Sequence, residues 1–125
     1  MPKQLREVEE EDSDEEEISQ DTLYWSLVSA WLNFNEFSIN NDFSLYESAL
    51  SSILAYIANN GDKEEEEFKK VLGRLCYEHD DKLSIEDKKL LGLEKIQNLK
   101  EYGLELLELA AKTNGEVEDY LSTKL

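Results

Sequence analysis

The two side chains best suited to chemistry in this chain are its single cysteine, Cys76, and its single histidine, His79. Three residues apart on a helix, they could share a face. Glu78, Asp80 and Asp81 stand beside them, so a thiolate, an imidazole and carboxylates could in principle be assembled around one zinc ion. A structural zinc site needs four ligands, and a catalytic one three plus water. With one cysteine and one histidine, the rest of the set would have to be carboxylate. The plainer alternative is that Cys76 is a small core residue and His79 a polar residue ending a helix, where its charge would suit the dipole. No metal and no cofactor is expected.

Other patterns point away from catalysis. The segment Asp80-Asp81-Lys82-Leu83-Ser84-Ile85-Glu86 joins two helical stretches, but it lacks the alternating acids and central glycine of a calcium loop. No glycine-rich phosphate loop and no Gly-x-Ser-x-Gly elbow occurs. Carboxylates are so numerous that their pairing carries little information. The reading is therefore non-enzymatic.

Two other features could bind a macromolecule. Seven of the twelve aromatic residues crowd between Tyr24 and Tyr46, namely Tyr24, Trp25, Trp31, Phe34, Phe37, Phe43 and Tyr46. Platforms for single-stranded nucleic acid interleave aromatics with Lys and Arg, and there is neither between Asp21 and Asp62. Core packing explains part of this cluster. Because Trp and Tyr are enriched at interface hot spots, Trp25, Trp31, Phe34, Phe37 and Phe43 are the expected aromatic docking surface for a protein partner.

The second feature is the stretch Glu7–Glu17, with nine acids in eleven positions: Glu7, Glu9, Glu10, Glu11, Asp12, Asp14, Glu15, Glu16 and Glu17. So many carboxylates repel one another and have little apolar surface to bury, so residues 1–18 are expected to be a disordered tail. The tail either solubilises the chain or engages a basic surface, imitating the charge density of a nucleic-acid strand. Ser13, flanked by acids, is a candidate phosphoacceptor that would deepen the charge.

The whole chain has 125 residues and a formal charge of −17, enough for one domain. That charge disfavours direct binding to phosphate backbones, which Lys and Arg drive. No apolar run reaches the roughly 18 residues of a membrane span. The lone cysteine and the absence of a basic-then-apolar leader point to an intracellular setting, cytoplasmic or nuclear.

Helices must position these groups, because residues from Asp21 onward follow helical periodicity and show no convincing period-two alternation. A first helix, about Thr22–Phe37, is capped by Ser19 or Asp21; Leu23, Leu27, Trp31 and Phe34 form its stripe. Tyr24, Val28 and Leu32 widen that stripe until the helix is apolar nearly all round, which predicts burial on several sides. After a polar linker, a second helix starts from a Ser44–Glu47 capping box and ends at Asn59-Asn60-Gly61, with Gly61 in the left-handed position. A third, from Asp62 to His79, has the apolar stripe Phe68, Val71, Leu72, Leu75, Cys76 and a charged opposite face; it reads as an amphipathic surface helix. A long fourth helix runs from the Ser84–Asp87 cap to Lys112, with Gly92 and Gly103 marking a bend or a close approach. Val117, Tyr120 and Leu121 suggest a short last helix.

The expected fold is all-α: a four- to five-helix bundle over residues 19–125, preceded by the acidic tail of residues 1–18. The expected function is that of an acidic accessory or adaptor protein. It would bind a larger protein with a basic surface, such as a DNA- or RNA-processing enzyme, without touching nucleic acid or membrane itself. One alternative is a nucleic-acid-mimic inhibitor of the kind viruses use against host defences. Another is a helical small subunit of a nucleoprotein complex, using a basic face built from Lys69, Lys70, Arg74, Lys88, Lys89, Lys95 and Lys100.

Overall fold

The computed structural model describes residues 19–124. The predicted tail, residues 1–18, with its nine acids and Ser13, lies outside the described residues. Among the described residues there are six α-helices, one 3-10 turn and no strand. They are α1 (Gln20–Asn40), α2 (Phe43–Ala58), α3 (Glu66–Glu78), the turn Asp80–Lys82, α4 (Ile85–Leu90), α5 (Leu99–Ala111) and α6 (Gly115–Lys124). The all-α expectation holds.

Local chemistry sets most helix ends. The Ser19 hydroxyl accepts from the Thr22 amide at 3.2 Å and starts α1. Asn41, at φ 59°, closes it by donating its amide to Phe37 O at 2.8 Å. The two-residue link Asn41-Asp42 then turns the chain into α2. Asp42 caps that helix through the Ser44 amide at 3.1 Å, in place of the predicted Ser44–Glu47 box. At the other end of α2, Asn60 and not Gly61 takes the left-handed conformation. Gly61 is instead held against the Tyr56 ring, which leaves no space for a β-carbon.

The predicted fourth helix is two helices. The Ser84–Asp87 capping box is present, at 3.0 and 3.3 Å, but α4 ends after Leu90. Gly92, at φ +74°, takes the left-handed position, and the Leu93 amide reaches back to Lys88 O at 2.7 Å. That is a Schellman stop. The chain then turns Leu91 and Leu93 into the core before the Asn98 side chain caps α5 through the Glu101 amide at 3.1 Å. The i, i+3 leucine spacing ran unbroken through this stop, so periodicity alone masked it. Gly103 is the predicted close approach. A β-carbon there would sit 2.5 Å from Gly73 O and 2.5 Å from Tyr77 N, so α3 and α5 touch backbone to backbone.

α1 packs along α2 and α3 along α5, with α6 on α5. α3 is the hub, also touching α1, α2 and the 3-10 turn. The core runs through Leu27, Phe34, Tyr46, Ile53, Val71, Leu75, Leu107 and Val117. This arrangement overturns the reading of α3 as a surface helix: Glu67, Lys70 and Arg74, on its supposed solvent face, are buried. The cause is α1 and α6, which cover the side that the sequence pattern assigned to water.

Candidate functional site

The groups with chemical potential cluster on α3. Lys70, only 4% exposed, donates to Glu116 Oε1 at 2.7 Å and pairs with Glu67 Oε2 at 3.2 Å. The second oxygen of Glu116 accepts from Trp31 Nε1 at 3.0 Å, tying α6 to α1 and α3 at one carboxylate. One turn along, Arg74 is 3% exposed and lies between two rings, 4.7 Å from the centre of Trp31 and 4.6 Å from that of Tyr120. Its guanidinium donates to Asn35 Oδ1 at 2.5 Å and to Ser38 Oγ at 3.4 Å. Its Nε stands 3.7 Å from Glu78 Oε2, an ion-pair separation without a hydrogen bond. Glu78 also accepts from the Tyr120 hydroxyl and pairs with Lys124 at 3.1 Å.

The electrostatics follow from this wiring. Burial alone would raise the Glu78 carboxyl, but the Tyr120 hydrogen bond and the charges of Arg74 and Lys124 hold it below its ordinary value. The hydrogen bond from Lys70, more than any other influence, lowers Glu116. Burial lowers Arg74 and raises Tyr120, the latter helped by its bond to Glu78. Each cation is matched by a carboxylate and flanked by an aromatic face, so the cluster is a tie between helices and has no unused nucleophile or base.

Cys76 and His79 do not meet. Cys76 faces α5, close to Gly103, where burial and Asp80 push its thiol up to about 12. His79 points to the other side of α3, into a cage of Phe34, Phe37 and Tyr46, its ring centre 5.1, 5.6 and 5.4 Å from theirs. Burial pushes its imidazole down to about 4, against the opposing pull of Glu78, and the ring is neutral at pH 7. Glu78 Oε1 lies 3.5 Å from Nε2 without bonding it, and both ring nitrogens are buried without a partner, as is the Tyr46 hydroxyl. A thiol and an imidazole turned apart and sealed from solvent cannot act jointly on a substrate or one metal ion. Among the described residues no group of three or more His, Cys, Asp or Glu is placed to hold a metal.

The predicted aromatic surface splits. Trp31, Phe34 and Phe37 are buried in the core and are unavailable to a partner, which corrects that part of the expectation. Trp25, at 62% exposure, and Phe43 are on the surface. Sequence reasoning missed two residues that belong with Trp25: Leu32 and Ile39 are 55% and 79% exposed. The signal was available in the seven-residue spacing 25, 32, 39. The predicted basic face is also reduced, since Lys70 and Arg74 are spent inside the protein, Lys69 pairs with Glu64 at 3.1 Å and Lys100 donates to Tyr77 O at 3.0 Å.

One cleft of about 250 Å³ opens between Phe68, Leu72 and Tyr102, with Leu91-Gly92-Leu93 as its rim. It is smaller than the usual ligand pocket, about 300–1,000 Å³, and two more open depressions of about 300 and 330 Å³ lie beside Tyr77 and Leu109. No described helix is long and apolar enough to cross a membrane. Compared with known proteins, the chain matches no family model, no curated protein and no solved structure. Fold and site together define a class: a small all-helical protein whose interior charges are paired and whose first helix presents hydrocarbon outward.

Proposed function

We propose that this chain is a non-enzymatic acidic accessory protein whose acidic segment engages a larger protein with a basic surface, such as a DNA- or RNA-processing enzyme. The observation that supports this most is the fate of the cations. Lys70 and Arg74 are turned inward onto Glu67, Glu78 and Glu116, so two cations that a basic face would need are matched inside the protein, and the chain's excess of acid over base, 30 residues to 13, is left unrelieved. That also weakens the nucleoprotein-subunit alternative, which needed both residues outside. Burial of the Cys76 thiol and the His79 imidazole supports a role without bond-making. The compartment consistent with a lone buried thiol is intracellular.

A second reading has its own support. Glu101, Glu105 and Glu108 form an exposed row on α5, at i, i+4, i+7. Acids fixed on a folded surface in this way favour a nucleic-acid mimic over an acidic tail.

One experiment separates the two. A partner is captured from the native host, and its affinity for the full chain and for residues 19–125 is compared over a salt series. Removal of residues 1–18 is expected to weaken binding and flatten its salt dependence, since exposed charge pairs are screened within about 10 Å at 0.1 M salt. Unchanged affinity and slope would refute the tail reading. If charge reversal at Glu101, Glu105 and Glu108 then abolished binding, the mimic reading would replace it.

A further inference from the structure

The cleft between α3 and α5 owes its shape to the stop at Gly92. The turn after α4 brings Leu91 and Leu93 beside Phe68 and Leu72, and all four side chains are buried. The Tyr56 ring is stacked on Phe68 at 5.0 Å, so this apolar floor is held in place. A β-carbon at Gly92 would meet nothing within 4 Å, so the rim is open there. The cleft is more enclosed than the depressions beside Tyr77 and Leu109.

Its polar lining is sparse and has a sign. Lys63 and Lys69 stand against one carboxylate, Glu64, and Tyr102 adds a hydroxyl. Lys69 pairs with Glu64 at 3.1 Å, but Glu64 is 83% exposed against 26% for Lys69, so the carboxylate stands in water while the lysine lies against the protein. A local excess of cation is the exception in a chain of 30 acids and 13 bases. The volume, about 250 Å³, holds about eight heavy atoms at the roughly 30 Å³ that a water takes in the liquid.

We propose that this cleft binds a small amphiphilic carboxylate, its hydrocarbon chain on Phe68, Leu72 and Leu93 and its head group at Lys63 and Lys69. Each part of the ligand follows from a part of the cleft. The floor offers no hydrogen-bonding side chain, so the inner end must be hydrocarbon, whose removal from water drives binding. The two ammonium groups favour an anion and repel an amine. Glu64 leaves the lining with one net positive charge, which matches a single carboxylate and disfavours a phosphate dianion or a nucleic-acid strand. The proposal does not depend on what the acidic segment binds.

Titration of the isotope-labelled full chain with octanoate, below its micelle concentration, tests the assignment, with octylamine and 1-octanol as probes of the same length. The amide signals of Leu91, Gly92, Leu93 and Tyr102 are expected to shift and saturate with octanoate. Octylamine and octanol are each expected to bind at least about tenfold more weakly, the size of one charge-assisted hydrogen bond. Lys63→Gln combined with Lys69→Gln is expected to weaken octanoate about tenfold and leave octanol unchanged. Neither lysine is buried, so folding does not confuse the result. Shifts that never saturate or that centre outside the cleft, equal affinity for either comparison probe, or an octanoate affinity indifferent to the double substitution would each overturn the proposal.

Discussion

Two helices break the rule of one greasy face and one wet face, and they break it in opposite directions. α3 carries a charged side that its sequence offers to water, yet Glu67, Lys70 and Arg74 are among its buried residues. α1 carries hydrocarbon on two opposite sides, and on one of them Trp25, Leu32 and Ile39 face solvent. In α3 the buried charges are tolerable because each finds an opposite charge and a ring: Glu116 and Trp31 for Lys70, Glu78 and Tyr120 for Arg74. Charge taken out of water unpaired would be prohibitive. In α1 the exposed hydrocarbon has no such local compensation. The contrast teaches that a buried polar group can be explained from within one chain, whereas an ordered row of exposed apolar groups points outside it.

The comparison can be broken at its strongest point first. Arg74→Ala removes the cation from between Trp31 and Tyr120 and leaves Glu78 with Lys124 and the Tyr120 hydroxyl. It should cost about 3 kcal/mol in urea unfolding. Arg74→Met, which keeps the apolar stem against the rings, should cost roughly half as much. Equal losses would mean that the stem contributes nothing and the missing charge accounts for the whole effect, whereas an Arg74→Met variant as stable as the wild type would mean that charge pairing contributes nothing.

A comparable effect should come from pH. His79 is held neutral in the fold, with its imidazole down at about 4, and titrates near 6.5 when unfolded. As pH falls from about 6.5 to 4, the unfolded chain takes up a proton that the folded chain refuses. Stability therefore drops over that window, by up to about 3 kcal/mol, and is fully present above it. His79→Phe should flatten the slope. Because both ring nitrogens lack partners, it should also gain about 1 kcal/mol at pH 7. An unchanged slope in this variant would assign the pH dependence to the carboxylates. Lowered Glu78 and Glu116 also lose stability with acid, but below their ordinary range.

The smallest effect is expected on α1. Leu32→Ser in dilute, monomeric protein should change stability by less than about 0.5 kcal/mol, as for an exposed site. A loss above 1 kcal/mol would show that Leu32 packs within its own chain and that the two faces of α1 are not distinct.

Much of the fold was legible because the signals are local. Ser19, Ser84 with Asp87, and the aliphatic stripes of α1 to α3 each act within one or two turns, so neighbouring residues suffice to read them. The break at Gly92 was harder to see, because leucines on either side keep helical spacing while the glycine leaves the helix. The candidate site was legible only in part. Spacing placed Cys76 and His79 on one helix but could not tell that they face different neighbours, and aromatic composition could not separate Trp31 from Trp25.

By itself the sequence determined that this protein is helical, where α1, α2 and α4 start to within a residue or two, which residues form the main core stripes and that the chain is strongly anionic. These follow from caps, periodicity and charge, which act over a few residues. Only the tertiary structure decided which side of each helix meets water, because that depends on what lies across from it. α6 and α1 close over Lys70 and Arg74, and no described element closes over Trp25, Leu32 and Ile39.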